Sequence, residues 1–290
     1  MTRITRRTFL GVTAGAAAGL VRSGAARGKG LAPEDAAPAT PFELGLASYT
    51  FREFDLDATL AMAGRLGLRR IALKDMHLPL DSPDALIRAT VAKAGALGLS
   101  VYGCGVVYMT NEAEVDRAFA YARAGGMGVI VGVPEHGLLA RAEKCVRDTG
   151  IRLAIHNHGP GDRRYPTPRS VLDRVGSLDP RIGVCLDVGH CERSGLDPSA
   201  AAAACGPRLL DVHLKDVTAA AEAGIAVEVG RGVVDIPRLL QTLRAMGYSG
   251  TAAFEYEKDG RDPLPGLAES VGYVRAVLAA SDPGRNYFAK

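Results

Sequence analysis

From residue 43 onward the chain alternates between short apolar, β-rich runs and longer stretches of helical periodicity. The runs predict strands at Leu44–Thr50, Arg70–Lys74, Ser100–Val106, Gly128–Val133, Arg152–His156, Gly183–Asp187, Leu210–Lys215 and Thr251–Tyr256. The periodic stretches predict helices near Leu56–Leu66, Pro83–Leu97, Glu112–Gly125, Gly137–Thr149, Pro168–Gly176, Pro198–Cys205, Ile236–Met246 and Leu264–Ala280. Several helices run into a glycine before the next strand, as in "GLGLRR", "ALGLSV", "RDTGIRL" and "AMGYSG", which is a helix stop. "SPDAL" and "DIPRLL" read as starts, a capping residue followed by an early proline. Eight such units in series predict a single-domain α/β fold, a (β/α)8 TIM barrel over residues 43–282. The competing architecture is an open doubly wound sheet. It would carry a Gly-rich turn after the first strand, and "LASYTFREF" contains no glycine.

Strand parity then separates two kinds of residue, because alternate side chains face opposite sides. In the fifth predicted strand Leu153 and Ile155 share one face, and Ala154 and His156 the other, with His158 beyond the end. In the sixth, Val184 and Leu186 oppose Asp187. In the seventh, Val212 and Leu214 oppose Asp211, His213 and Lys215. In the eighth, Phe254 and Tyr256 oppose Glu255 and Glu257, and the second strand ends with Lys74 opposite Ile71 and Leu73. The apolar set suits the barrel–helix layer. The ionisable set falls on the inward parity, at the strand ends where TIM barrels carry their chemistry. Inward charges are costly unless paired or metal-bound, so the pattern predicts a metal site or, failing that, a salt-bridge network. Mixed imidazole and carboxylate ligands favour Mn²⁺, Fe²⁺, Co²⁺ or Zn²⁺ over Ca²⁺, and no thiolate is expected to help.

Composition adds limits. The 290 residues are 47% hydrophobic, with a formal charge of +3 and five cysteines. "TRRTFLG" followed by an Ala/Gly-rich apolar run and "SGAARG" reads as a twin-arginine export signal over residues 1–26, with a linker over 27–42 and a tail over 283–290. Losing Arg3, Arg6, Arg7 and Arg22 with that signal takes the charge from +3 to −1, which leaves no electrostatic footprint for nucleic acid. The expected location is periplasmic or extracellular, reached through the Tat machinery in the folded state. Folded export would allow metal uptake in the cytoplasm. The mature chain has no expected membrane span, since the signal's apolar run is too short for one. Cys104, Cys145 and Cys185 sit in apolar surroundings and read as buried thiols; one disulfide is possible after export, with no pair chosen by the sequence.

"CLDVGH" (185–190), "DVHLKD" (211–216), "VGRGVVDIPRLLQTL" (229–243) and "FEYE" (254–257) carry a resemblance to the xylose isomerase-like TIM barrels, the sugar isomerase and epimerase group, over residues 43 to 280. The resemblance implies one divalent ion held by residues ending strands five to eight. Carried over by motif, these are Asp187, His213 and Glu255, with His156 standing where the pattern has a glutamate. The fourth ligand is then His156, Glu135 of "VGVPEHG", or water. His190 resembles the group's substrate-contacting histidine. An ion chelating a sugar carbonyl and its neighbouring hydroxyl acidifies the C–H between them and stabilises the enediolate. Glu255 is the leading base by resemblance, with His158, Glu135 or Glu257 as alternatives, and Lys215 could steady the oxyanion or carry a proton. Lys74, Glu135 and Glu257 are candidate substrate contacts.

The implied function is an isomerase or epimerase acting on a keto-sugar or sugar derivative. Loss of the strand-five glutamate puts two-base epimerisation in doubt, so a lyase or dehydratase working by β-elimination is the rival. A non-catalytic sugar-binding protein is the alternative of another class. An endonuclease-IV-like role would need about three zinc ions and histidines on strands two and three; the third strand offers none and His77 stands alone after the second.

Overall fold

The computed structural model describes residues 41–281. The expected export signal, the linker up to residue 40 and the C-terminal tail lie outside the described residues. Phe42, placed in the linker by the sequence, is buried with its ring 6.0 Å from that of Tyr248.

Eight parallel strands close into a barrel: β1 (Glu43–Ala47), β2 (Arg70–Leu73), β3 (Ser100–Met109), β4 (Val129–Pro134), β5 (Arg152–His156), β6 (Ile182–Asp187), β7 (Leu209–Leu214) and, after a two-residue antiparallel pair β8 (Asp216–Val217) and β9 (Ala226–Val227), β10 (Thr251–Phe254). β10 pairs with β7 on one side and β1 on the other, which completes the ring. The outer layer is α1 (Leu56–Arg65), α2 (Asp84–Ala96), α3 (Glu112–Ala124), α4 (Leu139–Thr149), α5 (Pro168–Val175), α6 (Val188–Arg193), α7 (Pro198–Cys205), α8 (Ile236–Ala245) and α9 (Leu264–Ala280). No helix among these is long and apolar enough to cross a membrane.

Three predicted strand ends move by two residues or more. β1 stops at Ala47 because Ser48 turns the chain into a short 3-10 segment, Ser48–Phe51. There the Ser48 hydroxyl accepts from the Lys74 amide at 2.8 Å and bonds Nδ1 of His77 at 2.9 Å. β10 stops at Phe254 because the Tyr256 amide donates to the Thr50 hydroxyl at 3.0 Å instead of to a neighbouring strand. β3 runs three residues past Val106, which brings Tyr108 to the rim.

The inside of the barrel is unusually polar for a layer that branched aliphatics normally fill. Arg70 lies over the Tyr102 ring at 4.9 Å, and the Tyr102 hydroxyl reaches Asp211 at 3.5 Å. Cys185 follows above, with Sγ 4.0 Å from the same Asp211 carboxylate. At the end of the barrel where β6 and β7 begin, the Arg208 guanidinium donates to four backbone carbonyls, those of Asp179, Ile182, Gly176 and Leu178, at 2.6–3.2 Å. β6 passes so close here that a Cβ on Gly183 would lie 2.2 Å from the Arg208 carbonyl. All five cysteines are free thiols.

Candidate metal centre

At the opposite end, the last residues of β5 and β6, the penultimate residue of β7 and the residue after β10 converge. One ligand atom from each of His156, Asp187, His213 and Glu255 lies within 4.8 Å of the other three, and all four residues are buried. Each is delivered by local structure. Asp187 ends β6 and caps α6, its Oδ1 accepting from the His190 amide at 2.7 Å, which leaves Oδ2 to face the centre. Asn157 bridges β5 and β6 beyond the ladder: its Oδ1 accepts from the Asp187 amide at 3.0 Å and its Nδ2 donates to the Asp187 carbonyl at 3.2 Å. That amide fixes both His156 and Asp187.

His156 Nε2 approaches Asp187 Oδ2 at 3.4 Å, and His213 Nδ1 approaches Glu255 Oε2 at 3.2 Å. Yet His156 Nε2 and His213 Nδ1 have no hydrogen-bond partner, although both are buried, and Asp187 Oδ2 has only its ion pair with Lys215. Two of four prospective ligand atoms are thus unsatisfied polar atoms in the interior, where such groups are normally paired. A divalent ion fits this donor set, because it supplies the missing partner to both imidazoles at once.

The electrostatics differ between the two imidazoles: burial would lower His213, but Cys185 and Glu255 hold it well above the usual histidine value, so an ion there would have to displace its proton. Burial pushes the His156 imidazole down to about 4, so it is neutral at ordinary pH, as a ligand must be. Burial opposes ionisation of Asp187 and Glu255. The Lys215 ammonium outweighs it, helped by His190 and His156 at Asp187 and by His213 at Glu255, and holds both carboxyls well below their usual range. Lys215 Nζ lies 2.9 Å from Asp187 Oδ2, 3.0 Å from Glu255 Oε2 and 3.1 Å from Glu257 Oε1, at 3% side-chain exposure.

Above the centre opens a cavity of about 270 Å³, lined by Tyr49, Lys74, Val106, Tyr108, His156, His158, His190, Glu255 and Glu257. His158 stacks on Tyr108 and bonds its hydroxyl at 2.9 Å. Burial pushes both His158 and His190 below the usual histidine value, so they face a ligand as neutral rings. The structure therefore gathers nine of the ten residues singled out by sequence: Lys74, His156, His158, Asp187, His190, His213, Lys215, Glu255 and Glu257.

Glu135 stands apart and is a correction. Its carboxylate is held by Arg164 and is 41% exposed, it does not line the cavity, and it is not in the ligand cluster. The basic loop 159–166 is accordingly pinned back, with Arg164 on Glu135 and the buried Tyr165 hydroxyl on the Pro134 carbonyl at 2.9 Å. His77 is structural: its Nε2 meets the Thr59 hydroxyl at 3.1 Å and the Phe51 carbonyl at 3.2 Å.

Tyr49, Val106, Tyr108 and Cys185 escaped the sequence. Tyr108 lay past the predicted end of its strand. Cys185 brings a sulfur within 4.8 Å of ligand atoms of His156 and His213, against the expectation that no thiol would be near. It stands two residues before Asp187 on the same strand face.

Residues 137–277 match the model of the xylose isomerase-like TIM barrel family. The rhizopine catabolism protein MocC of Rhizobium meliloti is 32% identical over 150 residues, 47% of this chain and 46% of that protein, so the match spans less than half of this relative's length. Among solved structures, L-ribulose 3-epimerase matches with a TM-score of 0.64 at 15% identity, over 82% of this chain and 95% of that one. A probable 3-DHS dehydratase involved in petrobactin synthesis, from Bacillus anthracis, matches with a TM-score of 0.61 at 15% identity, over 81% and 99%. At these identities the likeness is one of fold, the eight-stranded TIM barrel.

Proposed function

We propose that the whole chain is a member of the xylose isomerase-like barrels and a metal-dependent enzyme of the sugar isomerase and epimerase kind, acting on a keto-sugar or sugar derivative by removing a proton next to a carbonyl. The observation that carries this reading is the pair of unpartnered buried imidazole nitrogens, His156 Nε2 and His213 Nδ1, beside the Asp187 and Glu255 carboxylates and beneath a cavity of sugar size. In this reading His156, Asp187, His213 and Glu255 hold one divalent transition ion, Mn²⁺, Co²⁺, Fe²⁺ or Zn²⁺. When bound, the ion supplies Lewis-acid polarisation of the substrate carbonyl and its neighbouring hydroxyl.

The remaining roles belong to the chain. Glu255, with its carboxylate kept ionised by Lys215 and His213, accepts the proton. Lys215 donates to the oxygen on which charge develops. His158 and His190 present neutral rings to the sugar hydroxyls, and Lys74 and Glu257 bind at the cavity wall. We further place the mature protein in the periplasm or outside the cell, on the twin-arginine pattern of residues 5–11; the absence of that processing in cell fractionation would remove this part.

A second reading, β-elimination by a lyase or dehydratase, is favoured by one observation. The carboxylates that line the cavity, Glu255 and Glu257, both follow β10, and β5 ends in His156 where the family pattern has a glutamate, so β5 offers no second carboxylate base. A base on one side suffices for elimination. Elemental analysis tests the common core: about one transition ion per chain is expected in the wild type and loss of it in His156→Ala and Asp187→Ala. Keto-sugars incubated with the enzyme in D₂O should gain deuterium next to the carbonyl. A wild type that binds no ion even after reconstitution with Mn²⁺ or Zn²⁺ would sink the reading.

A further inference from the structure

We propose that Cys185 is a thiolate ligand of the ion held by His156 and His213, which makes this centre selective for zinc- and cobalt-like ions over manganese and magnesium. The inference rests on the metal-centre reading above and deepens it. Cys185 lies on the inward face of β6, fully buried, and pairs with His156 across the β5–β6 register. Ligand atoms of His156, Cys185 and His213 lie within 4.8 Å of one another, a set that shares both histidines with the carboxylate set but sits deeper in the barrel. His156 belongs to both sets, and its Nε2 is buried without a hydrogen-bond partner.

The charges distinguish the two positions. On the cavity side, Asp187 Oδ2 and Glu255 Oε2 are already engaged by the Lys215 ammonium at 2.9 and 3.0 Å, so an ion drawn fully between them must displace a buried cation. On the barrel side the neighbours are a thiol and the Asp211 carboxylate. Ligation there breaks the Cys185 S–H bond as the sulfur–metal bond forms. The proton passes to Asp211, whose Oδ1 lies 4.0 Å from Sγ and whose Oδ2 is buried without a partner. The charge of the Cys–Asp pair is unchanged by the transfer, and the ion keeps its two imidazoles. Thiolate is a soft ligand, and its presence ranks Zn²⁺ and Co²⁺ above Mn²⁺ and Mg²⁺.

The test uses the full-length chain, purified metal-free and reconstituted with Co²⁺. A thiolate ligand gives a sulfur-to-cobalt charge-transfer band in the near ultraviolet, expected in the wild type and in Cys145→Ser, and absent in Cys185→Ser and Cys185→Ala. Direct titration should show Zn²⁺ affinity falling by at least about tenfold in Cys185→Ser, with Mn²⁺ affinity changed far less. Stoichiometric Co²⁺ binding without the band, or a band that survives in Cys185→Ser, overturns the ligand assignment and leaves the carboxylate centre standing. Failure of the wild type to bind Co²⁺ or Zn²⁺ at all overturns the metal reading and this inference with it.

Discussion

Lys215 is the residue on which the site's energetics turn. Its ammonium is the counter-charge for Asp187 and Glu255 inside the barrel. Removing one partner of a buried ion pair leaves an uncompensated charge and typically costs 3–5 kcal/mol. Lys215→Met should therefore lower the stability of the metal-free protein by about 3 kcal/mol. Added Zn²⁺ should restore more stability in the variant than in the wild type, since a bound ion then supplies the missing positive charge. Urea titrations with and without Zn²⁺ check both. His77 makes the contrast. Substituting it with leucine strips the Ser48 and Thr59 hydroxyls of a buried partner and should cost about 2 kcal/mol, with bound metal unchanged by elemental analysis. The sequence could separate these histidines because parity puts His156 and His213 among inward charges, while His77 stands in a loop. Parity did not expose Cys185. A thiol reads as an ordinary core residue, so facing inward costs it nothing and gives no warning.

The segment after β7 shows how one side chain shapes a loop. Asp216 is fully buried, and its carboxylate accepts four backbone N–H groups, from Val217, Val234, Gly230 and Gly232, at 2.9–3.1 Å. This explains the pairing of "DVHLKD" with "VGRGVV". A Cβ on Gly232 would lie 2.1 Å from the Asp216 carboxylate. Asp216→Asn turns an amide NH₂ toward amide donors and should cost about 3 kcal/mol in a denaturant titration. Glu228 anchors the same loop through Lys258 Nζ at 2.8 Å and the Tyr256 hydroxyl at 2.9 Å. The Lys258 bond, against burial and with help from Tyr256, draws its carboxyl from 4.5 down to about 2. A pKa depressed on folding contributes stability that is present above the unfolded value and lost as pH falls through the folded one. The urea-midpoint advantage of the wild type over Glu228→Gln should thus hold from neutral pH down to about 4.5 and shrink below it. Such side-chain anchoring is what periodicity cannot read. α6, six residues long and capped by Asp187, and the pair β8–β9 are too short to leave a repeat, and both went unpredicted.

For the molecule as a whole, the eightfold strand–helix alternation was legible because a parallel barrel repeats one physical problem eight times: a buried run, a glycine stop, an amphipathic cover. The closing order from β10 back to β1 followed from that count. What the repeat could not give was the division of labour between the two ends. Arg208 ties the turn before β6 to the start of β7 through four carbonyls, far along the strands from the ligand atoms they deliver. Cohesion at the β6–β7 seam is thus vested at one rim and the candidate metal centre at the other. The consequence is modularity. Rim segments such as 159–166 can be exchanged, lengthened or diversified in a library while the lower seam keeps the strands in register, so new substrate preferences are accessible to this scaffold without rebuilding what holds it together.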